Sequence, residues 1–240
     1  MSPVVIAESS AGDTKDGYDN FKYRSLTSEY RRQQLKLIDL NDEAKFERVA
    51  LLDSDLHIVP CRIAARLGDP EAFVISACMV KTHNTGIASL SIKNMVLGAP
   101  LHQATGENPR WSDKRKFHVG LRQTHYNMMV TAQRLDWGAS LIDGYEGMEG
   151  NGPNSGTAVA SRIALASTDF FAAARVGLET MGIPAYAVGY LQYAAQLGLG
   201  QYDLAKIDVL GSKPEAVKRT YRLHDQVDQQ LKWLSELPKA

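Results

Sequence analysis

Hydrophobic positions along the 240-residue chain form short apolar runs that alternate with longer segments of helical period. Short apolar runs are typical of strands, and apolar residues spaced three and four apart are typical of amphipathic helices. The alternation predicts an α/β fold with a mainly parallel sheet and helices on both of its faces. The predicted strands are 4–8, 36–40, 57–59, 72–80, 139–143, 162–167 and 206–210, and the predicted helices are 63–67, 86–97, 121–135, 170–181 and 187–197.

The carboxyl end has a different pattern. Across residues 214–237, apolar side chains recur three and four positions apart with charged residues between them, and Pro214 stands where a helix would begin. We therefore expect one α/β domain over residues 1–211, with 212–240 forming an amphipathic helix packed on it. Residues 11–28 and 99–120 are predicted to be long loops, which often form lids or binding segments.

Composition and charge narrow the class of protein. Hydrophobic residues make up 44% and charged residues 22% of the chain, as in ordinary globular proteins. Lys+Arg and Asp+Glu both number 27, so no net charge favours nucleic acid or anionic lipid. The amino terminus lacks a signal-peptide pattern, and no uninterrupted apolar stretch is long enough for a membrane span. We expect a cytoplasmic protein with a small ligand and neither a nucleic-acid nor a membrane partner.

Polar residues follow three of the predicted strands. Lys81 and His83 follow one strand, Asp143 begins a glycine-rich segment after the next, and Asp169 follows a third. In an open α/β sheet, ligands bind outside the carboxyl ends of the strands. The sequence therefore predicts a site of mixed charge at one edge of the sheet.

The glycine-rich segment, residues 143–156, has two interpretations. Its glycines permit close backbone approach, and consecutive N–H groups can bind an anion. Its carboxylates, Asp143, Glu146 and Glu149, suit a divalent cation or a general base. The alternative is a tight surface loop with solvated acids. The segment matches neither the dinucleotide-binding motif nor the P-loop.

The remaining candidates also have structural alternatives. Lys81 suits an anionic group, and His83 suits an acid/base or metal-ligand role. The alternative for this segment is a half-exposed turn in which the histidine is hydrogen-bonded. Asp169 precedes an alanine-rich helix, so it fits an N-cap as well as a ligand site. His118 ends a basic run that would close over an anion or lie solvated at the surface.

Five ordered motifs resemble one known family. They are KTH (81–83), SIKNMVLGAP (91–100), LIDGYEGMEGNGP (141–153), ALASTDFFAAARV (164–176) and GLGQYDLAKIDVLG (198–211). Over about residues 1–211 the chain is similar to the family known as domain of unknown function 362. The resemblance implies importance for Lys81, His83, Lys93, Asn94, Asp143, Glu149, Asn151, Gly152, Pro153 and Asp169. Lys93 and Asn94 are singled out by the resemblance alone.

The chain differs from its apparent relatives in its cysteines and in the region before the first strand. Some relatives have ferredoxin-like cysteine motifs and are described as iron–sulfur proteins, but this chain has only Cys61 and Cys78, so no cluster is expected. Relatives commonly have a longer region before the first strand. The resemblance therefore suggests a shortened or truncated member.

The favoured interpretation is an enzyme that acts on a small anionic metabolite, with a divalent cation as a further option. The alternatives are an iron–sulfur-associated or electron-transfer accessory protein, and a non-catalytic ligand-binding or interaction subunit; a homo-oligomer is compatible with each. The catalytic candidates are His83, Lys81, Asp143 and Glu149; the ligand-binding candidates are Lys93, Asn94, Asn151, Gly150, Gly152, His118 and Asp169; the metal candidates are Asp143, Glu146 and Glu149.

Overall fold

The computed structural model describes residues 3–104, 106, 108 and 111–235. The strands are β1 (Val5–Glu8), β2 (Lys36–Asp39), β3 (Phe46–Leu52), β4 (Ile58–Ala64), β5 (Ile75–His83), β6 (Ile87–Ser89), β7 (Ala139–Glu149), β8 (Thr157–Val159) and β9 (Ile163–Ser167). The helices are α1 (Thr14–Asn20), α2 (Tyr23–Glu29), α3 (Ser91–Gly98), α4 (Leu121–Ala132), α5 (Phe170–Thr180), α6 (Gly189–Gln196), α7 (Pro214–Val217), α8 (Val227–Gln230) and α9 (Lys232–Ser235). The mixture of strands and helices confirms the α/β class.

The main sheet is mixed rather than mainly parallel. Its strand order is β6-β5-β7-β8, and β9 also pairs with β7. Only β5 and β7 are parallel, whereas β6, β8 and β9 each run antiparallel to their neighbour. Three residues join β5 to β6, and a parallel connection needs a dozen or more. Two smaller sheets complete the strands: β1 and β2 are parallel, and β3 and β4 are antiparallel.

Helices cover one face of the main sheet, so the prediction of helices on both faces is wrong for the described residues. α3 lies against β5, where Asn94 Nδ2 donates to Ser76 Oγ at 2.9 Å. α5 packs on the same side, where Ile142 and Phe170 share the main core. Alternate side chains of β5, β7 and β9 on the other side are exposed. We call this the open face, and it comprises Ile75, Ala77, Met79, Leu141, Ala164 and Ala166.

Several predicted elements have a different structure. Residues 63–67 end β4 and form a 3-10 turn, and the predicted strand 206–210 begins in another 3-10 turn and continues without regular structure. The predicted helix 86–97 begins as β6 and becomes helical at Ser91. The predicted loop 11–28 contains α1 and most of α2. Short apolar segments are the ones in which helix and strand periods are hardest to distinguish.

The carboxyl end forms three short helices instead of one long helix. α7 begins at Pro214 as expected, but residues 218–226 leave the helix and hydrogen-bond to other elements. Tyr221 N donates to Met181 O at 3.0 Å, and Gly150 N donates to Arg222 O at 2.6 Å. These long-range backbone bonds replace the local bonds of a helix. The predicted helix end at 236–237 lies outside the described residues. No described helix is long and apolar enough to cross a membrane.

Candidate functional site

A group of basic side chains lies where β5 turns into β6 and α3 begins. Lys81 and His83 end β5, and Lys93 lies in the first turn of α3 with 6% of its surface exposed. Lys93 runs past Gly86, where an added Cβ would lie 3.6 Å from its Cδ and Cε atoms. The His118 ring centroid is 6.2 Å from that of His83. We call Lys81, His83, Lys93 and His118 the basic cluster.

Lys93 is a buried amine that has no ionic partner among the described residues. Within the described part of the chain, its ammonium group makes neither a hydrogen bond nor an ion pair. Burial and the nearby charges of Lys81 and Lys114 lower the pKa of Lys93 from 10.5 to about 7. A buried charge is stable only when it is paired. An anion supplied from solution would provide the missing charge.

His83 has a defined tautomer. Its Nδ1 atom accepts hydrogen bonds from the backbone N–H groups of Thr85 at 3.0 Å and of Gly86 at 3.4 Å. Nδ1 therefore carries no proton, so in the neutral ring the proton is on Nε2. Burial and the charges of Lys93 and His118 are the main causes that lower the pKa of His83 to about 2. His83 is thus a neutral Nε2–H donor, which suits an anion and does not suit a metal ion.

Lys81 and His118 lie nearer the surface. Lys81 is half-buried and pairs in register with Ser89 on β6 and with Met148 on β7. His118 is exposed, and partial desolvation together with the charge of Lys93 lowers its pKa. Both side chains therefore combine positive charge or hydrogen-bond donation with access to solvent.

The carboxylates predicted to hold a metal do not form a common ligand set. Asp143 and Glu146 are exposed, and Asp143 Oδ1 accepts from Tyr145 N at 2.8 Å. Glu149 Oε2 accepts from Arg222 N at 2.9 Å. The divalent-cation site expected from these three residues is therefore not assembled. Its physical reason is that the segment continues as an extended strand, in which side chains three positions apart are separated by about 10 Å.

Another group of possible metal ligands lies on the β3–β4 turn. Among the described residues, only Asp53, Asp55 and His57 bring three such atoms within 4.8 Å of one another. Asp53 Oδ1 already accepts the backbone N–H groups of Asp55 and His57, both at 2.9 Å. These hydrogen bonds stabilise the β3–β4 turn, and this structural role explains why Asp53 stands there.

The glycines of residues 143–156 admit the protein's own chain. An added Cβ would lie 2.2 Å from Tyr221 Oη at Gly147, 2.2 Å from Arg222 Nη2 at Gly150 and 2.1 Å from Thr82 O at Gly152. The close approach expected from the glycines is therefore to β5 and to the carboxyl-terminal segment. Packing of this kind explains the glycines without an anion-binding nest.

The carboxyl-terminal segment adds His224 and Asp225 to the site, two residues that the sequence patterns do not indicate. Asn151 Nδ2 donates to Asp225 Oδ2 at 2.8 Å, and Asp225 N donates to Asn151 Oδ1 at 3.1 Å. A cavity of about 400 Å³ lies here, and its lining includes Asn84, Asn151 and His224. The charge of His224 also contributes to lowering the pKa of His83. The apolar spacing across residues 214–237 predicts a helix, and a helix would not bring His224 or Asp225 to the glycine-rich segment.

Two predicted site residues lie at the opposite end of the sheet. Ser167 at the end of β9 pairs with Ser140 near the start of β7, so Asp169 follows a strand that runs the other way. Asp169 caps α5 by accepting from the backbone N–H groups of Phe171 and Ala172, and it also accepts from Gln201 N. Asn94 is exposed and bonds near the start of β5. The convergence of three strand ends is therefore wrong, and only β5 and β7 deliver residues to one edge.

A family model supports the resemblance found in the sequence. The model described as domain of unknown function (DUF362) matches residues 2–179 of the chain. The chain therefore belongs to this family. No curated protein and no solved structure matches the chain. The family match contains the basic cluster and ends before the segment with Tyr221 and Asp225.

Proposed function

We propose that the basic cluster binds a small ligand through a phosphate or carboxylate group, and that the protein is an enzyme acting on that ligand. The observation that carries this proposal is Lys93, a buried amine with three basic neighbours and no anionic partner in the described chain. Burial and like charges weaken the protonated state of Lys93 in the free protein. A bound anion restores it, so binding gains from a charge that folding leaves unpaired.

Each member of the cluster has a separate part in the proposal. Lys93 and Lys81 neutralise the anion, and His118 contacts it from the exposed side. His83 donates its Nε2–H, because Nδ1 is held by the Thr85 and Gly86 amides. The Nε2–H group of the neutral ring can then stabilise negative charge that develops on the ligand during the reaction.

The remainder of the ligand fits the neighbouring cavity. Asn84 follows His83 directly, and Asn84, Asn151 and His224 supply amide and imidazole groups to the lining. Such groups hydrogen-bond hydroxyl or carbonyl oxygens. We therefore favour a polar metabolite with an anionic group at one end.

The cysteines argue against the iron–sulfur alternative. Cys61 is buried and Cys78 half-buried, and burial raises the pKa of each thiol to about 12. A metal cluster is held by thiolates, which these side chains do not form readily. The proposal consequently keeps the anion-binding enzyme ahead of the electron-transfer protein.

Calorimetric titration with sulfate and with inorganic phosphate tests the binding step. Lys93→Met removes the central charge, and Lys36→Met removes the charge of an exposed lysine on β2 as a matched control. We expect Lys93→Met to weaken anion binding at least tenfold and Lys36→Met to leave it unchanged. Equal affinity of all three proteins would refute the site.

Turnover is tested separately with a mixture of phosphorylated and carboxylated metabolites followed by mass spectrometry. His83→Gln keeps a polar side chain and removes the imidazole Nε2–H donor. We expect a compound to be consumed by the unmodified protein and not by His83→Gln. Binding without turnover of any compound in the mixture would favour the non-catalytic ligand-binding alternative.

A further inference from the structure

The open face is a continuous apolar surface on a sheet that is covered on its other side. Ile75, Met79 and Leu141 expose 52%, 54% and 47% of their surfaces. The register places Ala77 opposite Leu141, and Leu141 opposite Ala166, so the apolar side chains adjoin across three strands. A shallow groove of about 280 Å³ runs over Leu141. Contiguous exposed patches of this kind mark interaction sites.

The sequence of these strands also points to a covered face. Residues 75–80 of β5 are apolar at five of the six positions, the exception being the buried Ser76. Strands that are apolar on both sides are typical of sheets buried on both faces. The chain therefore carries a sequence suited to burial at a surface that its described residues leave open.

Opposite charges stand together at one end of this surface. Asp143 is exposed and lies opposite Ala164 in register, and Arg162 stacks on the Tyr145 ring with its guanidinium carbon 3.9 Å from the ring centroid. Neither Asp143 nor Arg162 forms an ion pair within the described residues. Because β7 and β9 are antiparallel, the two charges lie two residue positions apart along the sheet.

We propose that a second copy of this chain covers the open face, in a two-fold dimer that pairs Asp143 of each protomer with Arg162 of the other. A two-fold axis brings the same surface together twice, so a surface that carries one negative and one positive group beside an apolar centre is complementary to itself. A partner of one charge would leave either Asp143 or Arg162 unpaired. Self-association satisfies both and removes the apolar side chains from water.

The composition of this surface suits such a dimer. Exposed apolar side chains of β5, β7 and β9 stand beside one negative and one positive side chain. The apolar centre with a charged rim is also the usual arrangement of protein interfaces.

Sedimentation equilibrium of the full chain across micromolar concentrations tests the proposal. We expect the mass of a dimer, and we expect Leu141→Asp to give a monomer with unchanged circular dichroism. Leu210→Asp is the matched control, because Leu210 is 86% exposed and lies outside the sheet; it should remain dimeric. A monomeric unmodified protein would overturn the proposal, including the case in which a different protein covers the face.

A charge exchange tests the arrangement of the two protomers. Asp143→Arg and Arg162→Asp each place like charges across the proposed axis, so each single variant should dissociate at least tenfold more readily. The double variant restores opposite charges and should recover most of the affinity. Dimers of undiminished stability in both single variants, or a double variant no better than either, would overturn the pairing.

Discussion

Replacing Lys93 by methionine should make the ligand-free protein more stable. Methionine keeps the unbranched length of the lysine side chain and removes its charge. Lys93 is 6% exposed and has no ionic partner among the described residues, so its ammonium group opposes folding. A residue kept for binding is expected to be costly for stability in this way.

The size of the effect follows from the pKa of Lys93. Between pH 7 and 10.5 the unfolded chain binds a proton at this lysine that the folded chain does not bind, so the free energy of unfolding rises with pH. Below pH 7 both states bind the proton and the full penalty applies. The difference between the two pKa values corresponds to at most on the order of 5 kcal/mol in the free energy of unfolding. Because the structure relaxes around the amine, we expect a gain of roughly 2–3 kcal/mol from Lys93→Met at pH 6.

Lys116→Met is the control of opposite sign. Lys116 forms an ion pair with Asp113, which is fully buried, and its Nζ donates to Pro60 O at 2.6 Å. Removing one partner of a buried carboxylate should lower the free energy of unfolding by roughly 1–3 kcal/mol. The two lysines thus distinguish a charge that the fold uses from one that it leaves unpaired.

Urea unfolding at pH 6 and at pH 9.5 measures both variants. We expect Lys93→Met to be more stable than the unmodified protein at pH 6, with the difference shrinking at pH 9.5. Saturating sulfate should stabilise the unmodified protein and leave Lys93→Met unaffected. A Lys93→Met protein that is less stable at pH 6 would show that the amine has a structural partner, which would contradict anion binding at Lys93.

Three further expectations follow from the structure. Sulfate keeps its charge across neutral pH, so its affinity should fall up to tenfold per pH unit above about 7 as free Lys93 loses its proton. A sulfate affinity that calorimetry finds unchanged with pH would exclude Lys93 as the binding charge. Gly152→Ala should lower the free energy of unfolding by about 2 kcal/mol or more, because its Cβ would lie 2.1 Å from Thr82 O. Gly98→Ala is the control, because its Cβ would enter open space and the change should be neutral or stabilising. Equal midpoints of the two variants in thermal melts would refute the close packing at Gly152. Burial lowers the pKa of His125 from 6.5 to about 3, so the protein loses stability as pH falls below 6.5. In urea titrations at pH 7.5 and 4.5, His125→Phe should reduce the loss of stability between the two pH values. An unchanged loss would mean that His125 is already charged in the folded protein.

The sequence predicted the strands that carry the proposed site better than it predicted their directions. Apolar runs identified β5 and β7, and the position of Lys81 and His83 after one run placed them at a sheet edge. The same pattern placed Asp169 beside them, which is wrong because β9 is antiparallel. Apolar periodicity identifies a strand without fixing its direction, which depends on the connections and the pairing.

Burial of the central lysine was also beyond sequence patterns. Lys93 on its own has the pattern of a solvated helix residue, and only the family resemblance singled it out. Its burial depends on the three-residue turn that folds β6 back along β5 and brings Gly86 against its side chain. His224 and Asp225 reach the glycine segment because long-range backbone bonds displace the predicted helix. Tertiary contacts of this kind override local propensity.

A crystal structure of the protein grown with sulfate or phosphate would show directly whether the basic cluster binds an anion. We expect an anion within hydrogen-bond distance of Lys93 Nζ and His83 Nε2, with His83 Nδ1 still accepting from the Thr85 and Gly86 amides. An empty site at saturating anion, or a Lys93 ammonium paired with a carboxylate of its own chain, would contradict it.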